Sequence, residues 1–284
     1  MRFKTIAVLL LVIVTLVAHA QHPDPLLLSV SLERTQGVFV KDEVSQKAIL
    51  LKSEKSSGVA LLIFRGWPGI AKIEASKDWW RNLNYMQNQV PLFLDAGISM
   101  VVMDCPTDQQ ALIDRANPAS CDDGYRSSMQ HASDVKKMIQ KLKSDHGFSQ
   151  VYIFGHSYGT LSSKWLAKNI GIELAGSIHS ASMTRPGKGA FSRYGNTASQ
   201  IDMSSLQAPV LNIHHLNDAC PSTPYATVEK YSTRNLVTVR GGISTGDRCG
   251  AKHFHSYEGR EQAASEAIIA WIINGEVRQF AGDE

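Results

Sequence analysis

Five consecutive residues, Gly155-His156-Ser157-Tyr158-Gly159, carry the most specific chemical signal in the sequence. Their spacing is G-x-S-x-G. A serine hydroxyl is a weak nucleophile, and it attacks a carbonyl only when a neighbouring base takes its proton. The two glycines make physical sense if Ser157 sits in a sharp turn between a strand and a helix. Such a turn lifts the hydroxyl above the end of a sheet, and a side chain at either flank would collide with neighbouring backbone. The helix that follows would offer free N–H groups and the positive end of its dipole to a developing anion. A five-residue pattern also arises by chance, as a glycine-rich turn with an idle serine. The flanks argue against that, because VYIF at 151–154 is a short apolar run and LSSKWLAK at 161–168 is helical in composition.

A nucleophile of this kind needs a base and an acid that orients the base. On a strand-turn-helix elbow the partners follow in the order serine, acid, histidine. Asp218 comes after the apolar run at 209–214, in the loop Leu216-Asn217-Asp218, and is the expected acid. Asp202 competes, but it precedes that run. Two histidines precede the last helical stretch, in Lys252-His253-Phe254-His255-Ser256-Tyr257. Either suits the base by position, and His255 is the nearer to the helix.

The elements that must position these groups can be read from hydrophobic patterning. Apolar, partly β-branched runs at 58–64, 98–104, 151–154, 174–179, 209–214 and 236–239 predict strands. Helices are expected over 78–95, 128–145, 159–168 and 260–273, with Gly97 and Gly147 as stops. Continuous apolar strands separated by helices point to a mostly parallel sheet covered on both faces. Residues 26–52 alternate more and contain no helical pattern, so they are expected to form antiparallel strands on one edge. The expectation is an α/β fold in a single domain over 21–284, with a minimal cap or none.

The 284 residues include 43% hydrophobic and 19% charged residues, the composition of an ordinary globular protein. Residues 1–20 stand apart. Arg2 and Lys4 precede an apolar stretch from Ile6 to Val17, and Ala18-His19-Ala20 has the small-x-small form of a signal-peptidase site. The run is shorter than the roughly 20 apolar residues of a membrane span. A secreted or periplasmic protein cut after Ala20, with no membrane span in its mature part, is the expectation. Removing Arg2 and Lys4 leaves basic and acidic residues nearly balanced, with no basic block, which argues against nucleic acid or an anionic membrane as partner. Four cysteines in an exported chain favour disulfides. Cys220 lies two positions after Asp218 and Cys249 six before His255, so pairing these two would tie the acid loop to the base loop. Cys105 and Cys121 would then staple one long connection.

Taken together, these motifs resemble the α/β-hydrolase superfamily, and more narrowly exported bacterial serine hydrolases of unknown substrate. The narrower likeness rests on Asp104-Cys105-Pro106-Thr107-Asp108-Gln109, on Gly155 through Ser162, and on the ending from His255. That ending is similar to the H-G-F-x-G-x-E pattern of bacterial members, with Ser256 where glycine is usual, and the alignment implies His255 as the base. The resemblance also implies an oxyanion hole from two backbone N–H groups, those of Tyr158 and of Trp67 in Arg65-Gly66-Trp67-Pro68. It implies hydrolysis of a small ester, or alternatively of an amide or peptide, acyl transfer, or a silent binding protein on a hydrolase scaffold. No cofactor is implied.

His214, His215, Asp218, His253 and His255 could also be read as metal ligands. Adjacent histidines on a strand face opposite ways, however, so His214 and His215 would not share one ion. Trp79-Trp80 could line a sugar site, but such a pair more often packs. The stretch at 180–208 is rich in Ser, Gly, Thr and Arg and lacks the apolar helices of a lid. An open site for short acyl chains, without interfacial activation, follows from that.

Overall fold

The computed structural model describes residues 24–32, 34, 44–55, 57–73, 79–111, 120–185, 201–232 and 235–283. The expected signal segment at 1–20 lies outside them. So do most of the expected polar stretch at 180–208, part of the connection from Cys105 to Arg126, and the side chains of Trp79 and Trp80. Among the described residues eleven strands occur: β1 (Leu26–Leu32), β2 (Val44–Leu51), β3 (Val59–Phe64), β4 (Ile98–Met103), β5 (Gln110–Ala111), β6 (Ser120–Cys121), β7 (Gln150–His156), β8 (Gly176–Ser180), β9 (Val210–His215), β10 (Leu236–Arg240) and β11 (Phe280–Gly282). Nine of them form one sheet in the order β1-β2-β4-β3-β7-β8-β9-β10-β11. β2 is antiparallel to β1 and to β4, and every pairing from β4 to β11 is parallel.

The six apolar runs all fall on parallel strands, and β1 and β2 supply the antiparallel edge expected from the patterning of this part of the chain. VALLIF in β3 and ISMVVM in β4 are buried at every position, which requires cover on both faces. One face packs against α1 (Val90–Asp95) and α6 (Glu261–Asn274), with Phe93, Ile268 and Trp271 in the layer between. The other packs against α3 (Met129–His146) and α4 (Thr160–Ile170), where Val135, Met138, Leu142 and Leu166 fill the gap.

α3 starts where Ser128 accepts a hydrogen bond from the His131 N–H at 3.1 Å. It stops at Gly147, whose φ of 75° is the left-handed cap conformation. Met129, which the helical spacing would put on the apolar face, is 67% exposed.

Two features differ from the sequence expectation. Residues Trp79–Gln89 wind as a 3₁₀ helix, and only Val90–Asp95 is α-helical. Asn88 weakens an α-helix by competing for its backbone bonds, and Pro91 favours a fresh first turn. The short strands β5, β6 and β11 were not legible, since two or three residues carry no period. Among the described residues no helix is long and apolar enough to cross a membrane. Between β8 and β9 the described residues hold only the short turn Met203–Ser205.

Candidate active site

β7 leads directly into Ser157, and α4 begins three residues later. Ser157 has φ of 53°, a left-handed conformation that strains any side-chain-bearing residue. The flanking glycines have steric causes. A Cβ on Gly155 would lie 2.4 Å from the Gly159 carbonyl oxygen, and one on Gly159 would lie 2.0 Å from that of Phe64. Either contact would force β7, α4 and β3 apart. Side chains brace the turn from outside. Thr160 Oγ1 donates to the Ser157 carbonyl at 2.6 Å and accepts from the Met183 N–H at 2.9 Å. The buried Arg126 donates to Ser162 Oγ at 2.9 Å and to the Tyr158 carbonyl at 3.2 Å, with its guanidinium 4.6 Å from the Tyr158 ring centre. The Tyr158 hydroxyl donates to the Cys121 carbonyl at 2.6 Å.

Ser157 lines a cavity of about 370 Å³ together with Trp67, Tyr158, Met183, His255 and the Cys220–Cys249 bridge. Trp67 and Tyr158 meet edge to face at 5.6 Å. Both therefore stand beside Ser157.

Asp218 sits in the loop after β9, with its side chain fully buried. Its Oδ1 accepts from the Cys220 N–H at 2.9 Å. Its Oδ2 accepts from His255 Nδ1 at 3.0 Å, from Thr223 Oγ1 at 2.8 Å and from His214 Nε2 at 3.1 Å. Burial alone would raise this carboxyl. Attraction to His255 and hydrogen bonds from His214 and His255 outweigh it and hold the group well below its ordinary 3.8. An ionised carboxylate only accepts, so His255 Nδ1 carries a hydrogen, and Nε2 is the ring nitrogen left as an acceptor.

His255 is held by its own turn, Phe254–Ser256. The next residue, Tyr257, reaches back into the sheet and donates to the Ile213 carbonyl at 2.9 Å. Having one hydrogen, that hydroxyl must accept from Ser180 Oγ at 2.8 Å, and Ser180 in turn accepts from His156 Nδ1 at 3.0 Å. His156 lies 5.1 Å from the His255 ring. Burial, reinforced by His255, keeps it well below the usual histidine value, so it is neutral at pH 7.

The geometry brings Asp218 and His255 together and leaves their competitors elsewhere. Asp202 is exposed and caps the turn at 203–205 by accepting from the Ser204 N–H and hydroxyl. His253 packs edge-on against Phe254 at 5.3 Å, and its Nδ1 has no hydrogen-bond partner. His214 and His215 do face opposite ways. His215 stacks on Phe254 at 4.4 Å, donates to the Gly241 carbonyl at 2.8 Å and accepts from the Asn217 N–H.

Both expected disulfides are present, Cys105–Cys121 and Cys220–Cys249. The second carries the loop at 247–251 onto the cavity wall, a part of the site that the sequence motifs do not mark. Thr223, on Asp218, belongs to no pattern, and His214, weighed from the sequence only as a possible metal ligand, instead donates to Asp218. The only advance signal for the wall was the position of Cys249.

No protein-family model and no curated protein sequence matches the chain. Solved structures do match. The 2,6-dihydroxy-pseudo-oxynicotine hydrolase superposes with a TM-score of 0.56 at 14% identity, over 88% of this chain and 70% of that one. Est1E from Butyrivibrio proteoclasticus gives 0.54 at 14% identity, over 86% and 97%. An esterase from Exiguobacterium antarcticum gives 0.53 at 11% identity, over 81% and 96%. This chain has the α/β-hydrolase fold. At such identities the likeness carries the fold alone, and the chemistry has to be argued from the residues of this α/β-hydrolase site.

Proposed function

We propose that the protein is a serine hydrolase of short carboxylic esters, with Ser157 as nucleophile, His255 as base and Asp218 as acid. The observation that carries this reading is the 3.0 Å contact between Asp218 Oδ2 and His255 Nδ1, with His255 and the strained Ser157 lining one cavity. In the first step Ser157 Oγ bonds to the ester carbonyl carbon while its proton passes to His255 Nε2. The buried Asp218 anion stabilises the imidazolium that results. The backbone N–H groups of Trp67 and Tyr158 are assigned to the oxyanion, by their positions beside Ser157 and at the start of the elbow helix. His255 then protonates the departing alkoxide, leaving an acyl-Ser157 ester. Water, deprotonated by the same histidine, releases the acid and regenerates the serine.

The reading of ester cleavage is in keeping with one fold neighbour described as an esterase, that from Exiguobacterium antarcticum. The two disulfides fit an oxidising compartment, in line with reading residues 1–20 as a signal peptide cut after Ala20. Fluorophosphonate labelling of the purified protein tests the assignment. Wild type is expected to be labelled on Ser157 and to cleave p-nitrophenyl acetate, and Ser157→Ala to lose both, by about a millionfold in kcat. Labelling of the alanine variant at the wild-type rate would overturn the nucleophile. Failure of the wild type to label would favour a silent binding protein on the same scaffold.

A further inference from the structure

The carboxylate of Asp218 is shared between two histidines, and the proposed chemistry uses only one of them. His214 is on β9, fully buried, four residues before Asp218. Its Nε2 faces two acceptors, Asp218 Oδ2 at 3.1 Å and the Thr223 carbonyl at 2.9 Å. Both are oxygens without hydrogens to give, so Nε2 carries the hydrogen, and one N–H is divided between them. Its Nδ1 is buried with no hydrogen-bond partner. Thr223 closes the arrangement. Its hydroxyl donates to Asp218 Oδ2 at 2.8 Å and lies 3.2 Å from His255 Nδ1, while its carbonyl takes part of the His214 hydrogen. Tyr225 on α5 (Tyr225–Tyr231) packs edge-on against the His214 ring at 5.9 Å.

We infer that His214 is a positioning residue of the hydrolase centre: through Asp218 it fixes the oxygen that orients His255. The inference rests on the functional reading above. The geometric reason lies in the loop. Asp218 stands on an irregular connection, and among the described residues a backbone N–H reaches its carboxylate only at Oδ1, from Cys220. Rotation about the bond to the carboxyl group would still move Oδ2 away from His255. A donor fixed on a sheet strand, opposite the base, removes that freedom. With Thr223, it confines Oδ2 to the place where it meets His255. A loose carboxylate would leave the imidazole free to turn, and small misplacement of a reacting group costs large factors in rate.

His214→Gln keeps an N–H donor at the equivalent distance from the main chain, whereas His214→Phe keeps the ring and removes the donor. Both would be measured per active site titrated with fluorophosphonate, so that misfolded protein does not count. His214→Phe is expected to lower kcat at least tenfold with KM within about twofold, and His214→Gln to recover most of the loss. Histidine ring ¹⁵N spectra of the wild type are expected to show an Nε2–H tautomer at position 214 and an Nδ1–H tautomer at 255. The latter should become mobile in His214→Phe. An unchanged kcat in His214→Phe, or an Nδ1–H tautomer at 214, overturns the inference. If wild-type Ser157 fails to label while both tautomers appear as stated, the hydrolase reading falls and the shared carboxylate stands, without a catalytic purpose.

Discussion

Around Ser157 the restraints are those of the main chain. A positive φ, two glycines with no room for a Cβ, and a strand on one side and a helix on the other leave the serine one place to be. Around Asp218 and His255 the main chain is irregular, and position comes from side chains: three donors on one oxygen, a tyrosine anchored into the sheet, and a disulfide across the loops. A strand-to-helix elbow must be written in neighbouring residues, because backbone sterics act over a few positions. A side-chain network can recruit residues from anywhere in the chain. The first kind of restraint is therefore visible as a motif, and the second is not.

The largest effect that can break this comparison concerns the choice of base. His255→Ala should reduce kcat about as far as loss of the serine, roughly a millionfold, because members of a triad act as a unit. His253→Ala, which removes a half-buried ring packed against Phe254, should change kcat by less than about threefold in the same ester assay. The reverse ranking would show that the loop at 253–257 rearranges in solution.

That choice also marks where the sequence stops being informative. The six strand runs were legible because burial on both faces keeps them mostly apolar, with buried exceptions such as Ser177, His179, Asn212 and His214, and the elbow because its glycines are obligatory. Between His253 and His255, or Asp218 and Asp202, local pattern decides little. Side chains two residues apart can differ only in which way the loop turns them, and that depends on Tyr257 meeting Ile213 and on Thr223 meeting Asp218. The 3₁₀ winding of 79–89 was illegible for a related reason: apolar spacing at 83, 85, 86 and 90 suits either helix type.

A smaller effect sharpens the contrast between the two bridges. Cys220–Cys249 spans 29 residues and Cys105–Cys121 spans 16, so chain entropy assigns about 3–4 kcal/mol to the first and about 3 kcal/mol to the second. Replacing each pair by serines should thus lower denaturant stability by similar amounts. Activity should separate them. Loss of Cys220–Cys249 releases the loop that forms the cavity wall beside the acid, and kcat/KM should fall more than tenfold at a temperature where both variants are folded. Loss of the other bridge leaves Asp218 and its donors in place. Equal activities would mean that the wall loop is held by its backbone after all.

Smaller per pH unit is an effect that divides the two regions by window. Near the elbow His131 is buried against Ser162, and burial, with Arg126 adding to it, lowers it from 6.5 to about 3. The folded state therefore binds fewer protons than the unfolded chain between those values. Stability is complete above pH 6.5 and declines as pH falls toward 3, by at most about 1.4 kcal/mol per pH unit for this residue. His131→Gln should flatten that part of the curve in a denaturation series. Asp218 is lowered from 3.8, so its contribution is complete above that value and is lost only at more acidic pH. Asp218→Asn should leave the slope between pH 4 and 6.5 unchanged. A change there on substituting Asp218 would mean that the two regions titrate together.

The smallest effect expected is a flat response. The cavity beside Ser157 holds about 370 Å³, and its apolar lining consists of Trp67, Tyr158, Met183, Ala251 and the disulfide. Each methylene buried against such a wall would favour binding by about 0.8 kcal/mol, close to fourfold in kcat/KM. A tunnel for long chains would let that gain accumulate. Here the wall is short, and the turn Met203–Ser205 is the only regular element among the described residues between β8 and β9. The gain should therefore stop within the first few carbons. In a p-nitrophenyl ester series from acetate to palmitate, kcat/KM should level off after the short chains, and no jump in rate should accompany micelle formation. A steady climb to the longest chains would require an apolar cover over the site.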